Sequence, residues 1–446
     1  MIHSGRYHYT SGFYADSLKT LETALNEVPA YASWRARDPG PGACVDARYD
    51  AMPGLTKQMI REHFPLGLAP RHMDVEAGLL SGEIEYTYTS GTTGERVVNV
   101  WDQGWWNRAE AASWKLNAHT AGFAYPQREA KLASALNVGI SCEEDLPMQY
   151  RTVGNKLYLN EKINLIQWMP RHYARMAEEL KIFRPAILEA NPSLLARLAY
   201  WAESEGAEMY GPAVIVFTYE FVSKIHADII KKVFKCPQIS SFGTTETGFV
   251  LMECEAGALH QNTGFCRIDF HPLKEEYGGP ELGRMLVTAF GNPWNVVVKF
   301  DTGDLVRLCP SGECACGRSE GLIASAVEGR VSNSTFTAQG GLVTTMALDR
   351  ALSGVSGIRD YHLEQHDRAR YELQIMTGSG GADAQNAAGE ARAALRGLYG
   401  GGGEFDVKVV KNIYPGPAGK FRRTQANFDF DWMELFESAG RGHRYG

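Results

Sequence analysis

The sequence predicts an α/β protein with a large N-terminal domain of helix-covered sheets and a small C-terminal α+β domain. Two observations lead to this prediction. Between about residues 130 and 250, short apolar runs alternate with helical stretches, which is typical of a largely parallel sheet covered by helices. Beyond about residue 330, strands and one helix lie between Gly-rich stretches. We therefore expect domains at 1–330 and 331–446, with a hinge near Arg330 to Ser332.

Local patterns predict the individual elements. Alternation with aromatic residues predicts a strand over 83–89, and a second strand is expected over 96–100. Residues 101–122 predict an amphipathic helix, and residues 283–308 predict paired strands around a turn at 291–293. Further strands are expected at 186–188, 214–217, 361–365, 371–376 and 405–411. Further helices are expected at 192–205, 223–235 and 382–398.

Composition excludes several classes of protein. The 446 residues are 44% hydrophobic and 22% charged, which suits a globular chain with a large core and argues against disorder. The formal charge of −7, without a run of basic residues, argues against nucleic-acid binding. Neither a spanning apolar stretch nor a signal peptide is seen, so we expect no membrane association and a cytoplasmic location. The eight cysteines should then be reduced, and clustered ones suggest a metal.

The most informative segment is Tyr88-Thr89-Ser90-Gly91-Thr92-Thr93-Gly94. Its glycines allow a tight turn that brings backbone N–H groups toward an anion, and its hydroxyl groups add donors that can follow a triphosphate. It is not a Walker loop, because no Gly-Lys-Ser/Thr follows. A polar hairpin turn is the alternative interpretation.

Three further segments carry polar groups that could contact a nucleotide. Ser240-Ser241-Phe242-Gly243-Thr244-Thr245-Glu246 would end a strand in hydroxyl groups and a carboxylate, which could hold Mg²⁺; the alternative is a helix capped by Thr244. In Asp301-Thr302-Gly303-Asp304, the last carboxylate could accept two ribose hydroxyls, whereas the alternative is a β-turn. Residues 415–423 put Lys420 on a Gly-flanked loop, which could equally be a solvated basic loop.

These motifs, in this order, resemble the adenylate-forming superfamily of acyl-CoA synthetases, luciferases and peptide-synthetase adenylation domains. The matching segments span residues 88–423: T-S-G-T-T-G, F-G-T-T-E, D-T-G-D, Gly329-Arg330 and P-x-x-x-G-K-x-x-R. Within the superfamily the sequence is most similar to the phenylacetate–CoA ligase branch. This similarity rests on the short length, Leu55-Thr56-Lys57, Asn191-Pro192-Ser193 and the cysteine-rich segment between Asp304 and Arg330.

The resemblance implies that ATP and a small carboxylic acid, aryl or short acyl, form an acyl-AMP with release of pyrophosphate. Thr89 to Gly94 would cradle the β- and γ-phosphates, Phe242-Gly243-Thr244 would lie along the nucleotide with Phe242 against adenine, and Thr245 would contact the α-phosphate. Glu246 would bind Mg²⁺, and Asp304 the ribose hydroxyls. Arg330 would reach the ribose–phosphate region.

Lys420 would bridge the acid and the α-phosphate, a task that suits a mobile point charge. The resemblance also implies a mobile C-terminal lid domain that carries this Gly-Lys loop and rotates between half-reactions. Three departures from the family pattern concern the adenine wall and the acceptor site: Tyr219, Ser332 and Gly340-Gly341-Leu342-Val343-Thr344-Thr345. Tyr219 concerns the adenine wall, whereas Ser332 and the segment 340–345 affect the assignment of CoA as acceptor more than adenylation itself.

A structural zinc site is predicted by Cys254-x5-His260 and Cys314-x-Cys316, since three thiolates and one imidazole make a closed tetrahedral set. Similar cysteine clusters occur in the phenylacetate–CoA ligase branch. Cys309 is a competing ligand and Cys266 a weaker one. Reduced, partly buried cysteines near a turn are the alternative interpretation.

The sequence favours an acid–CoA ligase but leaves two rivals open. One is adenylation followed by transfer to an amine or another nucleophile, or activation of something other than a carbon acid. The other is a zinc-stabilised, non-catalytic binding protein, against which the joint presence of Glu246, Asp304, Arg330 and Lys420 argues. The identity of the acid and the oligomeric state, a homodimer included, stay open.

Overall fold

The computed structural model describes residues 6–88, 97–123, 127–133, 144–161, 165, 168–416 and 419–437. The chain forms two compact units. Unit 1 contains Met1–Gly122, Ser241–Ala326 and Met433–Gly446, and unit 2 contains Phe123–Ser240 and Val327–Trp432. The boundary expected between residues 330 and 331 stays a prediction.

The α-helices of unit 1 lie in its N-terminal segment: α1 Ser11–Glu27, α2 Val45–Ala51, α3 Lys57–His63, α4 Val75–Ser81 and α5 Gln103–Trp114. In the described residues of unit 2, the α-helices are α6 Pro170–Phe183, α7 Pro192–Glu205, α8 Lys224–Val233, α9 Thr345–Ser353 and α10 Ala382–Tyr399. Within the described residues, no helix combines the length and apolar character that a membrane span requires.

Strands β1 to β7 are Glu85–Tyr88, Val98–Trp101, Glu129–Leu132, Thr152–Val153, Lys156–Tyr158, Ile187–Ala190 and Val214–Phe217. Strands β8 to β14 are Gln238–Thr244, Gly248–Glu253, Leu259–Gln261, Cys266–Pro272, Leu282–Ala289, Phe300–Leu308 and Ile323–Arg330. Strands β15 to β20 are Thr335–Phe336, Leu342–Val343, Ile358–Gln365, Arg370–Thr377, Glu404–Val409 and Thr424–Ala426.

In unit 1 the main sheet has the strand order β11-β12-β13-β14-β10-β9-β8. Five neighbouring pairs in this sheet are antiparallel: β8 with β9, β9 with β10, β10 with β14, β11 with β12 and β12 with β13. Strands β1 and β2 form a separate antiparallel pair. A hydrophobic core that includes Leu21, Tyr31, Trp105 and Val297 packs the N-terminal helices together with the segment before β13.

In unit 2, strands β8, β7, β6, β3 and β5 are all parallel, and β4 closes the edge antiparallel to β5. This confirms the parallel sheet expected from the alternation of apolar runs and helices. One face of the sheet is apolar: Leu132, Leu188 and Phe217 join the core formed with helices α6, α7 and α8. On the opposite face, β3 and β6 carry the charged residues Glu129, Lys131 and Glu189.

The later part of unit 2 contains a mixed four-stranded sheet of order β19-β18-β17-β20. Strands β17 and β18 are antiparallel, and β19 and β20 pair in parallel with β18 and β17. Helices α9 and α10 contribute to its core. The predicted strands and the helix of this region are confirmed.

Helix boundaries agree with the sequence in most places. Helix α7 begins after Asn191, whose side chain accepts from the backbone of Ser193 and Leu194, and ends just before Gly206, where φ is +62°. The expectation of one helix over 101–122 is wrong in its extent, because α5 ends at Trp114. The Thr120 hydroxyl donates to the Trp114 carbonyl oxygen at 2.6 Å, so a side chain takes up a carbonyl group at the end of the helix.

Candidate active site and metal centre

The predicted phosphate loop, residues 89–94, lies outside the described residues. On either side of it the structure is defined, since Tyr88 of β1 pairs with Val98 of β2. The roles expected for Thr89, Ser90, Gly91, Thr92, Thr93 and Gly94 stay predictions.

The segment Phe242 to Gly248 forms a tight β-hairpin between β8 and β9. The Thr247 amide donates to the backbone carbonyl and to the hydroxyl of Thr244, both at 3.2 Å. The backbones approach closely here: a Cβ atom at Gly243 would lie 2.3 Å from the Gly248 carbonyl oxygen. The alternative of a helix capped by Thr244 is therefore wrong, and the segment is the end of a strand, as the nucleotide interpretation requires.

This hairpin presents the two residues for which contacts to phosphate and metal were predicted. Thr245 and Glu246 lie in the turn, and the Glu246 side chain is only 3% exposed. Its carboxylate has no hydrogen-bond or ion-pair partner among the described residues. A buried carboxylate without a cation is costly, so this position suits a ligand for a divalent metal ion.

Asp304 lies inside strand β13 and not in a β-turn. Its amide donates to the Thr302 hydroxyl at 3.2 Å, and Gly303 just before it has a φ of +73°. The neighbouring Asp301 is engaged with Arg284, whose Nη1 lies 2.6 Å from its carboxylate. Asp304 is 7% exposed. The D-T-G-D segment is thus an irregular strand with one carboxylate paired to an arginine and the other buried.

Arg330 and Lys420 belong to unit 2. Arg330 ends strand β14, and a 3₁₀ turn over Val331–Asn333 follows it. The loop that carries Lys420 is closed by backbone hydrogen bonds: the Gly416 amide donates to the Lys420 carbonyl, and the Gly419 amide to the Gly416 carbonyl, both at 2.9 Å. Gly419 has a φ of +70°, which favours glycine at this position. Lys420 is half-buried.

Beside this loop, the structure brings together polar and charged side chains whose mutual contacts the sequence does not predict. Arg423 donates to the Ser193 hydroxyl at 2.6 Å and is paired with Asp360. Glu220 accepts from the Phe421 amide at 3.1 Å and from the Ser193 hydroxyl. Two parts of the sequence could have indicated these contacts. Asn191-Pro192-Ser193 and the final Arg of P-x-x-x-G-K-x-x-R both belong to the motifs that carry the family resemblance, but the motifs alone assign no contact to Ser193 or Arg423.

A second buried cluster lies on the charged face of the parallel sheet. Lys131 lies 2.6 Å from Glu189 and 3.3 Å from Glu129, and Lys156 lies 3.1 Å from Glu129. Tyr219, an unexpected residue for this position, has a φ of +76° and donates to Glu189 at 2.5 Å. Burial raises the pKa of Glu189, but Lys131 and these hydrogen bonds outweigh it and lower that pKa to about 2.

The predicted zinc ligands converge in unit 1. One ligand atom from each of Cys254, His260, Cys314 and Cys316 lies within 4.8 Å of every other. The sulfur atoms of Cys254 and Cys314 are 3.6 Å apart, and the Cys316 sulfur lies 3.3 Å from His260 Nε2. Tetrahedral zinc ligands are separated by roughly 3.5–3.8 Å, given Zn–S and Zn–N bonds of about 2.3 and 2.0 Å. The four residues therefore fit a zinc ion.

Tight turns hold these ligands. The Cys254 amide and carbonyl bond to the Ala258 carbonyl and the Gly257 amide, and the Gly317 amide donates to the Cys314 carbonyl at 3.0 Å. His260 lies on β10, between β9 and β14. Burial raises the pKa of Cys254 to about 11, so a cation is needed to hold it as a thiolate at neutral pH. The competing Cys266 is fully buried and bonds toward the Asn262 carbonyl, outside this cluster, and Cys309 is outside it as well.

Comparison with solved structures identifies the fold. The chain superposes on 2-hydroxyisobutyryl-CoA ligase in the postadenylation state, in complex with R3-HIB-AMP, with a TM-score of 0.71 and 16% identity. The match covers 97% of this chain and 94% of that one. This protein has the fold of an adenylate-forming ligase. The fold predicted from the motifs is therefore confirmed.

Two more distant neighbours share this fold. The anthranilate–CoA ligase AuaEII in complex with anthranoyl-AMP matches with a TM-score of 0.51 and 13% identity, over 76% of this chain and 65% of that one. The amide bond synthetase McbA from Marinactinospora thermotolerans matches with a TM-score of 0.50 and 13% identity, over 76% and 68%. No protein-family model and no curated protein sequence matches this chain.

Proposed function

We propose that this protein is an ATP-dependent enzyme that activates a carboxylic acid as an acyl-AMP. One observation carries the proposal: a ligase fold matched over 97% of the chain, in a sequence that keeps the nucleotide motifs of the superfamily in order. The acid's carboxylate oxygen attacks the α-phosphorus of ATP, a P–O bond forms, and the bond to the pyrophosphate breaks. Charge develops on the phosphoryl oxygens, so fixed donors and cations accelerate this step.

The proposed roles follow the motif positions. Lys420 would neutralise charge between the acid and the α-phosphate, and Thr245 would donate to that phosphate. Glu246, buried without a cation in the described residues, would hold Mg²⁺, which supplies positive charge to the phosphate oxygens. Asp304 would accept the ribose hydroxyls, Phe242 would lie against the adenine, and Gly243 and Thr244 would lie along the nucleotide.

The remaining nucleotide contacts are proposed from the same motif positions. Arg330, at the end of β14, would reach the ribose–phosphate region. The hydroxyl groups and backbone amides of residues 89–94 would cradle the β- and γ-phosphates. Residues 331–446 would act as the lid that carries Lys420.

The second step that we propose is transfer to CoA: the thiolate attacks the acyl carbon, a C–S bond forms, and AMP leaves. The acid is proposed to be an aryl or small acyl acid, of the type named for 2-hydroxyisobutyryl-CoA ligase and anthranilate–CoA ligase.

Transfer to an amine is the second candidate, favoured by the likeness to an amide bond synthetase and by Ser332 and the segment 340–345. Within the adenylate-forming superfamily, the phenylacetate–CoA ligase branch is the one to which we propose that this protein belongs.

We also propose that Cys254, His260, Cys314 and Cys316 bind one structural zinc ion. Their separations suit tetrahedral coordination, and four protein ligands leave no coordination position for a substrate. The ion would tie the turn after β9 to the cysteine-rich segment before β14. The reduced thiols that this requires agree with the expected cytoplasmic location.

The test is ATP–pyrophosphate exchange with a panel of acids: 2-hydroxyisobutyrate, anthranilate, benzoate, phenylacetate, hydroxybenzoates and short aliphatic acids. We expect exchange with one chemical class and, on addition of CoA, a thioester with release of AMP. Amide formation with an added amine, and no thioester, would select the second candidate. A wild-type protein that exchanges with no acid would overturn adenylation of this substrate class and favour a non-carboxylate substrate or a binding role.

A further inference from the structure

The segment that follows Lys420 is held by one connected set of buried polar contacts within unit 2. The Phe421 amide donates to Glu220 Oε2 at 3.1 Å. Two residues later, the Arg423 guanidinium donates to the Ser193 hydroxyl at 2.6 Å. Ser193 in turn donates to the other oxygen of Glu220. The backbone of residue 421 and the side chain of residue 423 are thus anchored on the same Ser193–Glu220 pair.

The anchoring pair is itself rigidly placed. Ser193 lies in the first turn of α7, where the Asn191 side chain caps its amide at 2.9 Å. Glu220 directly follows the turn after β7, and its backbone amide donates to the Thr218 carbonyl at 3.0 Å. Both therefore belong to the parallel-sheet part of unit 2, and they precede Lys420 in the chain by 227 and 200 positions. These contacts fix the loop relative to a sheet edge and not merely relative to its own neighbours.

Arg423 is 3% exposed, and its other contacts complete the set. It is paired with Asp360, and its Nη2 lies 3.3 Å from His226 Nδ1. Because the guanidinium can only donate, Nδ1 of His226 accepts, which leaves Nε2–H to face Asp360 at 3.5 Å. Asp360 lies on β17 and His226 on α8, so Arg423 contacts both parts of unit 2.

Apolar contacts reinforce the same attachment. Phe421 is 7% exposed and belongs to the core formed by β3, β6 and helices α6 to α8. The Arg197 guanidinium lies 5.2 Å from the centre of its ring and also donates to the Ile413 carbonyl. Ile413, at the other end of the loop, is 5% exposed in the same core. The loop is therefore held before and after Lys420.

We propose that Glu220 and Arg423 are positioning residues for Lys420: together they clamp residues 421–423 against Ser193 and so set the rate of adenylation without touching substrate. This inference rests on the proposed function of Lys420. Lys420 is joined directly to Phe421, so loss of the Glu220 contact would let its ammonium group leave the α-phosphate. A displacement of about 1 Å at a reacting centre costs about 100-fold in rate.

The variants are Glu220→Ala and Arg423→Lys, with Arg422→Gln as the matched control. Arg422 is the neighbouring cation, and its Nη1 donates to Gln425 Oε1 at 3.1 Å, outside the clamp. Arg423→Lys keeps the buried positive charge but cannot reach Asp360 and Ser193 together, so it tests the geometry in a protein that retains its charge balance. Circular dichroism and thermal unfolding show which variants fold.

Two readouts are measured on the full chain. The first is ATP–pyrophosphate exchange with the acid from the panel above that gives the fastest wild-type rate. We expect kcat to fall roughly 10- to 100-fold in both clamp variants while the KM for ATP changes less than about twofold, and Arg422→Gln to keep the wild-type kcat. The second is hydrogen exchange of peptides covering residues 413–426, in which the Phe421 amide should lose protection in Glu220→Ala.

The outcomes separate the two proposals. Wild-type exchange together with unchanged kcat in folded Glu220→Ala and Arg423→Lys would overturn the clamp and leave adenylation standing. A raised KM for ATP at unchanged kcat would also overturn it, because that result indicates a ground-state binding role. A wild-type protein without exchange on any acid would overturn the proposed function, and this inference with it.

Discussion

The Phe421 amide donates to Glu220 Oε2 at 3.1 Å, which ties the residue after Lys420 to the turn after strand β7. The two residues are 201 positions apart in the sequence. The contact gives the Gly-Lys loop a defined position. Because Glu220 can be replaced while Lys420 is kept, the position of Lys420 and its proposed charge can be tested by separate variants.

Replacement of Lys420 itself should slow adenylation severely with little effect on folding. We expect Lys420→Ala to lower the rate of ATP–pyrophosphate exchange by roughly 100- to 1000-fold, the effect of removing one preorganised charge-stabilising group. Thermal unfolding should be nearly unchanged, because the side chain is only half-buried. Lys411→Ala, at an exposed lysine in the same stretch, is the control and should keep full activity. Wild-type exchange rates in Lys420→Ala would contradict the role assigned to it.

The cysteine cluster should contain about one zinc ion per chain, measured by elemental analysis of the purified protein. Cys316→Ser should lose the metal and unfold at a temperature several degrees lower, since a structural zinc contributes to folding free energy. Cys44→Ser, at an exposed cysteine outside the cluster, should keep both zinc and stability. A wild-type protein that contains no zinc, and whose unfolding temperature is indifferent to chelators, would exclude the site.

Gly243 should tolerate no side chain. A Cβ atom there would lie 2.3 Å from the Gly248 carbonyl oxygen, so Gly243→Ala must push apart the β8–β9 hairpin that carries Thr245 and Glu246. We expect a loss of about 1–3 kcal/mol in the free energy of unfolding, together with a higher KM for ATP. Gly264→Ala is the matched control, because no atom lies within 4 Å of its Cβ position. Equal stability of the two variants in urea unfolding would argue against the hairpin geometry.

Lys131 should stabilise unit 2 through Glu189. The depressed pKa of Glu189, about 2, stabilises the fold above the unfolded carboxyl pKa, and this contribution is lost as the pH falls toward 2. Lys131→Met leaves the carboxylate buried without its cation, which should cost roughly 3–5 kcal/mol at pH 7. The variant's Glu189 can take up a proton at a higher pH than the wild type, so the deficit should shrink between pH 7.5 and pH 5.

Urea unfolding at both pH values measures this dependence. Lys224→Met removes an exposed ion pair with Asp228, 2.6 Å apart, and should change stability by only about 0.5 kcal/mol at either pH. A Lys131→Met deficit that is small, or that does not vary with pH, would mean that water or another cation compensates Glu189.

Local sequence patterns were sufficient to predict those strands and helices whose bounds depend on residues near them in the sequence. The apolar run at 214–217 and the helix over 192–205, with Asn191 before it and Gly206 after it, could be read directly. The end of the helix that follows residue 101 could not be predicted in this way. It ends at Trp114, whose carbonyl group accepts a hydrogen bond from the Thr120 side chain in the turns beyond the helix. The β-turn and helix-cap alternatives at residues 301–304 and 244–246 were settled by strand pairing across the sheet.

Residue types and their order along the chain were enough to predict the fold class, the succession of nucleotide motifs and the candidate zinc ligands. The choice among the cysteines required the three-dimensional structure, in which Cys254, His260, Cys314 and Cys316 converge and Cys309 and Cys266 lie outside the cluster. The ion pair of Lys131 with Glu189 and the hydrogen bond of the Phe421 amide with Glu220 are likewise seen only in the folded structure. Such contacts join positions far apart in the chain, and they are selected by the burial cost of charge and the packing of whole strands, which no local pattern records.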